Sequence, residues 1–183
     1  LFRSFDNLND YYFPTEGSEI YAEASLAQYG DFSIINPIML VKFRKAIKIT
    51  DQMTLLSNVH ARSLLSETAP VPLMNYIASR DYEITLDHHL PFYGMPSLWQ
   101  TERTTLIGGV VLRKHVYRQH YVSVATNLLF HNDVIFDFNQ YKSIFGVGLT
   151  YSYKSPAGPI ELTVGFADKY KKVTVAANVG FWF

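Results

Sequence analysis

The sequence predicts an all-β fold, an antiparallel transmembrane β-barrel, and three observations predict it. Polar and apolar residues alternate with period 2 through one segment after another, which marks strands with two unlike faces. Charged residues make up only 17% and aromatic residues 15% of the 183-residue chain. That balance suits a lipid-facing surface with aromatic girdles. Short turns and long connections also alternate along the chain, as they do at the two ends of a membrane barrel.

Eight strands follow in order. The first, 18–29, sets Ile20, Ala22, Ala24 and Leu26 against Glu19, Tyr21, Glu23 and Ser25. The second, 38–50, sets Val41, Phe43, Ile47 and Ile49 against Lys42, Arg44 and Lys48. Thr50-Asp51-Gln52 turns the chain tightly into the third, 53–65. The fourth, 103–117, places Leu106, Val110, Leu112 and Val116 opposite Gly109, Arg113, His115 and Tyr117. Arg118, Gln119 and His120 lead into the fifth, 121–130, where Val122, Val124, Leu128 and Phe130 oppose Tyr121, Ser123, Ala125 and Asn127. The sixth, 142–154, sets Phe145, Val147, Leu149, Tyr151 and Tyr153 against Ile144, Gly146, Gly148, Thr150 and Ser152. Residues 155–159 are turn formers.

The seventh strand, 159–168, alternates Ile160, Leu162, Val164 and Phe166 with Glu161, Thr163 and Gly165. In the eighth, 172–183, Val173, Val175, Ala177, Val179, Phe181 and Phe183 share one face. Thr174, Ala176, Asn178, Gly180 and Trp182 share the other. The longer connections are 30–37, 67–102 and 131–140, while 167–171 is short and departs from the rhythm. Pro70, Pro72, Pro91 and Pro96 make 67–102 read as irregular structure.

A soluble antiparallel barrel, binding an apolar ligand inside, would alternate as well, but it buries its apolar face. Here the other face carries Gly146, Gly148, Gly165, Gly180, Ser152, Thr163, Thr174 and Asn178, small and uncharged. A water-facing sheet carries more Lys and Glu, partly to guard its edges. The membrane reading therefore turns Phe145, Val147, Leu149, Leu162, Val164, Val175 and Val179 toward lipid. His60, Arg62, Arg113 and His115 then face a polar lumen, as a path or loop anchor or, more simply, as hydrated and ion-paired groups. Lys45 and Lys114 fall on the lipid side, which is tolerated near an interface where the stem can snorkel.

Several function classes drop out. A formal net charge of +0 removes a general electrostatic case for nucleic-acid binding. The absence of cysteine excludes a disulfide framework, a thiolate metal site and a thiol nucleophile. No stretch approaches the roughly 20 apolar residues of a spanning helix. No Gly-x-Ser-x-Gly elbow occurs, so this chain is not read as a serine hydrolase. Asp87-His88-His89 resembles metal ligands, but adjacent histidines on an extended chain point opposite ways. No metal and no cofactor are expected. Gly108-Gly109 lacks the third glycine of a dinucleotide loop and reads as a strand kink. The chain opens on Leu1 without a signal peptide, so a mature fragment or a piece of a longer protein is expected.

Motifs spaced in order along the chain resemble the bacterial surface antigen family, the barrel of outer-membrane assembly and secretion factors. Phe13-Pro14-Thr15-Glu16-Gly17-Ser18 is similar to that family's strand-opening segment. Leu90-Pro91-Phe92-Tyr93-Gly94-Met95 resembles its aromatic-Gly loop motif, and five strands follow that loop, as in the family. Pro91 to Gly94, Gln119-His120-Tyr121, Gly158 to Leu162 and the terminal Gly180-Phe181-Trp182-Phe183 look most like the barrel attached to patatin-like phospholipases of Bacteroidetes-type bacteria. The resemblance covers most of the chain. It departs where assembly factors place an Arg before the loop Gly; Tyr93 stands there, so an Arg lock does not carry over.

The resemblance implies one domain, 1–183, in the bacterial outer membrane, lacking its family's upstream domains. Its strands are either the second half of a barrel of about sixteen strands or a small barrel closed on itself. It further implies that the barrel anchors, and helps export, an upstream passenger such as a patatin-like lipase; a general assembly or transport barrel without a lipase is the alternative. The implied partners are outer-membrane lipid, the outer-membrane assembly machinery, a passenger domain and a second copy of the chain as a homodimer. Phe92, Tyr93 and Gly94 are expected to fold back into the lumen against small wall residues. Phe181 and Phe183 are expected to serve as a terminal assembly signal.

Overall fold

The computed structural model describes residues 1–28, 35–66, 70–78, 89–95, 98–133 and 141–180. In chain order the strands are β1 (Phe2–Asp6), β2 (Gly17–Gln28), β3 (Ile35–Thr50), β4 (Met53–Leu64), β5 (Tyr76–Ala78) and β6 (His89–Pro91). They continue with β7 (Trp99–Gln100), β8 (Thr104–Tyr117), β9 (His120–Asn132), β10 (Lys142–Ser155), β11 (Gly158–Ala167) and β12 (Val173–Val179). One nine-stranded sheet runs β1-β2-β3-β4-β8-β9-β10-β11-β12, and every ladder in it is antiparallel. Among the described residues β1 and β12 each have a single neighbour and form the sheet's edges. β3, β8 and β10, at 16, 14 and 14 residues, exceed the roughly 9–11 that a tilted strand needs to span a bilayer.

The sheet exceeds the eight expected strands by one. Phe2-Arg3-Ser4-Phe5-Asp6 is too short and polar to announce itself, yet it pairs with β2 from Phe2↔Glu23 to Asp6↔Glu19. Its strand character comes from the open β2 edge that it satisfies, not from its own alternation. The 67–102 connection is not wholly irregular. It holds a short 3₁₀ turn, Val71–Leu73, and a second sheet in which β5 pairs with β6 in parallel and with β7 antiparallel. Tyr117 also departs from expectation, since a register shift between His115 and Tyr117 moves it off the Arg113 face and opposite His120. The eighth expected strand is seen as Val173–Val179.

The two faces differ as the alternation requires. Ile144, Gly146, Gly148, Thr150 and Ser152 are buried, while Phe145, Leu149 and Tyr151 on the same strand are exposed. The buried face is covered by two pieces of chain. One is the 89–95 segment, whose Leu90, Phe92 and Met95 join Ile77, Ile107, Leu129, Ile144 and Ala167 in a single apolar cluster. Each such side chain, taken from water, stabilises by roughly 1.5–3 kcal/mol, so this seam fastens the loop to the wall.

The second covering piece is the 7–16 segment, held together by its own Asn and Asp side chains. The Asp10 carboxylate accepts the amides of Tyr12 and Phe13 at 3.0 and 2.9 Å. Asn9 Oδ1 accepts the Thr15 amide at 2.9 Å. Asp10 pairs with Lys154 on β10, while the carbonyl of the adjacent Tyr11 accepts Arg44 Nη2 of β3 at 3.3 Å. β3 and β10 stand four ladders apart, about 19 Å on a flat sheet at ~4.8 Å per step. Neighbouring residues touch both because the sheet curls around this segment.

Candidate functional site

The site is the place where the 89–95 segment meets β10 and β11. Gly146, Gly148 and Gly165 lie on the covered face of these strands. Ladder pairs Gly148↔Gly165 and Gly146↔Ala167 set them side by side. Without side chains they leave a trough. A Cβ added to Gly148 would come within 2.3 Å of Tyr93 Cδ1, and one added to Gly146 within 2.5 Å of the Tyr93 carbonyl. Gly94 sits at φ +83°, and a Cβ there would lie 2.2 Å from the Phe166 carbonyl carbon. Only glycine combines that backbone conformation with that approach. Phe92 is 1% exposed and Tyr93 9%.

The base of the loop is held by polar groups. Arg62, buried on β4, donates Nη1 to the Leu73 carbonyl at 2.9 Å and to Asn75 Oδ1 at 2.5 Å. Asn75 Nδ2 in turn donates to the carbonyls of Glu102 and Arg103 at 3.0 and 2.9 Å. A fully buried Asn thus adds a second donor to carbonyls that the Leu64 amide and the Thr101 hydroxyl also reach, and ties the base of the loop to β4. The Glu102 carboxylate accepts Lys142 Nζ at 2.8 Å and contacts His131 Nδ1. Trp99 lies edge-on to His131 at 5.2 Å, with Lys169 Nζ 2.8 Å over its ring.

At the turn end of the same face, Phe13 is the plug. Its ring stacks on Tyr121 at 4.6 Å, with Arg113 Cζ 5.2 Å and Lys154 Nζ 5.8 Å from its centroid. Burial pushes the Asp10 carboxyl up, but the hydrogen bond from Lys154 and the two amides outweigh it and hold the group below the ordinary 3.8. Between plug and loop lies a cavity of about 310 Å³, bordered by Lys42, Arg44, Asn58, His60, Asn127 and Glu161. Arg44 pairs with Glu19 at 3.0 Å. The cavity mixes these polar groups with apolar wall and is roomy enough to hold water against them.

Most residues expected from the sequence fall within the described structure. Phe92, Tyr93 and Gly94 lie against the covered face, with Tyr93 in the trough where an Arg was absent from the motif. His60, Arg62 and Arg113 are buried on that face, and His115 lies there half-buried, 5.0 Å from the Tyr121 ring. Arg62 meets the loop base, Arg113 the Phe13 plug. Phe145, Leu149, Leu162, Val164, Val175 and Val179 are exposed and Val147 is half-buried, all on the bare face. Phe181 and Phe183 lie outside the described residues, as do Asp87 and His88. Among the described residues no group of three or more His, Cys, Asp or Glu side chains is arranged to hold a metal ion.

Asn75, Glu102 and the 7–16 plug were not legible from the sequence. A signal for the plug did exist: Tyr11, Tyr12, Phe13 and Pro14 are apolar bulk within an Asn/Asp-rich stretch. The apolar side of the sheet is the exposed one, the reverse of a soluble barrel with an apolar interior. Comparison with known families matches residues 2–183 to the OMP85 superfamily. No curated protein matches the chain.

Proposed function

The chain belongs to the OMP85 superfamily, a family of outer-membrane assembly and transport barrels, and from that premise we propose that it is the barrel portion of a protein that anchors, and helps export, a patatin-like lipase passenger. In this reading Phe145, Val147, Leu149, Leu162, Val164, Val175 and Val179 contact lipid. His60, Arg62, Arg113 and His115 face the lumen, where Phe92-Tyr93-Gly94 is seated. The observation that supports the membrane role is the opposition of the two faces, with exposed aliphatic residues on one and small or polar residues under a loop on the other. The lipase link rests on the Pro-Phe-Tyr-Gly, Gln-His-Tyr and Gly-Pro-Ile-Glu-Leu motifs in the order that barrel carries them.

Fractionation of cells making the full-length protein tests this. Hydrolase activity should sediment with the outer membrane, need detergent for extraction, and become soluble when the barrel is deleted. Activity that is soluble with the barrel intact would refute anchoring. An upstream region with no hydrolase would leave an assembly or transport barrel, the reading that family membership alone supports.

A further inference from the structure

We propose that the turn joining β8 to β9 seats the phosphate headgroup of a membrane phospholipid on the bare face of the sheet, an inference that rests on the membrane reading above. The turn is unusual in its backbone. Arg118 is held at φ +47°, a left-handed conformation that long side chains rarely adopt. His115 Nε2 contacts the Arg118 carbonyl, and the Lys154 amide donates to the Gln119 carbonyl at 2.9 Å, so the neighbours over-determine the turn. A strained residue kept in place this way is a reason to look for a use.

The side chains around it supply one. The Arg118 guanidinium lies 5.0 Å over the Tyr117 ring and, among the described residues, makes no hydrogen bond or ion pair. The register shift that moves Tyr117 to the bare face sets it beside His120, ring centroids 6.4 Å apart. His120 stacks on Tyr153 at 4.8 Å and its Nδ1 bonds the Tyr151 hydroxyl at 2.6 Å. Nε2 of His120 meets no partner among the described residues, leaving it open to a ligand. Lys114 projects from the same face, opposite Val122. No carboxylate stands on the bare face of the described strands, so nothing there competes for these cations.

This is the chemistry of a phosphodiester at an interface. A guanidinium fork can bond two phosphate oxygens, and the tyrosine platform keeps it oriented. The rings suit headgroup depth, Lys114 can snorkel toward it, and exposed Leu112 and Val124 continue below as an apolar bed for acyl chains. Short turns lie on the periplasmic side of such barrels, where this headgroup would be met.

The test uses the full-length protein in detergent, titrated with phosphatidylglycerol and read by native mass spectrometry. Dioleoylglycerol serves as the lipid without phosphate, and inorganic phosphate as the free anion. Wild type should retain phosphatidylglycerol at least tenfold better than Arg118→Gly, and His120→Gln should weaken it too. Lys172→Gln, at the opposite end of the sheet, should match wild type. Arg118→Gly should at the same time raise the unfolding midpoint, because glycine adopts the turn without strain; lost binding with gained stability separates a ligand contact from a structural one. Equal retention by Arg118→Gly and wild type would overturn the proposal. So would equal retention of dioleoylglycerol, which means apolar contact only, or displacement of the lipid by millimolar inorganic phosphate, which means a free-anion site.

Discussion

The ring of Tyr93 occupies the space that a side chain at Gly148 would fill, with Cδ1 2.3 Å from the position of an added Cβ. Gly148→Val should therefore unseat the loop and cost about 1–3 kcal/mol in urea unfolding, the range for overpacking. Gly108, on the bare face, has nothing within 4 Å of an added Cβ. Gly108→Ala should be neutral or stabilise by about 0.5–1 kcal/mol, as expected for removing a strand glycine. Protease sensitivity of the loop should rise only in the first variant. Matching behaviour of the two would remove the trough as the loop's seat.

Asn75 and Arg62 form a buried pair whose partners are mostly backbone carbonyls. Asn75→Leu keeps the bulk but removes the guanidinium's side-chain acceptor and one of the donors to each of the Glu102 and Arg103 carbonyls. The expected cost is about 3 kcal/mol, within the range for breaking a buried charged hydrogen-bond network. Equilibrium unfolding of the single and double variants with Arg62→Met gives the coupling. A double variant no better than the sum of the two singles would show that the pair is not coupled.

Acid should release the 7–16 plug. The folded Asp10 pKa lies below the ordinary 3.8, so its contribution is fully present above that value and fades as pH falls through the folded pKa. Neutral and mildly acidic solutions should leave the plug closed, with cleavage near Tyr11 and Tyr12 appearing only below about pH 4. Asp10→Asn should be cleaved at every pH tested. Cleavage of wild type that begins near pH 6 would implicate another group.

Val164 pairs with Leu149 and Val175 in the middle of the exposed apolar face. Val164→Arg should destabilise the bilayer-inserted protein by roughly 2–4 kcal/mol if the residue sits near the midplane, and by about 0–1 near an interface. Spin labels at Leu149 or Val175 should be quenched by a lipid-soluble quencher, and labels at Thr163 or Asn178 should not. The reverse quenching pattern would place the apolar face away from lipid.

The faces of the long strands were legible because alternation is local: Leu162, Val164 and Phe166 point one way whatever else the chain does. The strand starts at Met53 and Lys142 followed from turn formers and charges beside them. Tyr117 was misplaced for an instructive reason. Period 2 holds only while the register does, and one extra residue beyond His115 inverts every later assignment on that strand.

The sequence by itself determined the all-β class, the division of β2, β3 and β8–β12 into an apolar and a polar face, and the loop with a glycine beside two aromatics. Tertiary structure alone decided what those faces meet. β1 became a strand because β2 offered an unpaired edge, and Asp10 found Lys154 across 144 positions of chain. Tyr93 found its seat because Gly146, Gly148 and Gly165, from two strands, are brought side by side by the ladder. Periodicity records which way a side chain points. It holds no record of the through-space neighbour, which depends on register and curvature summed over the whole sheet.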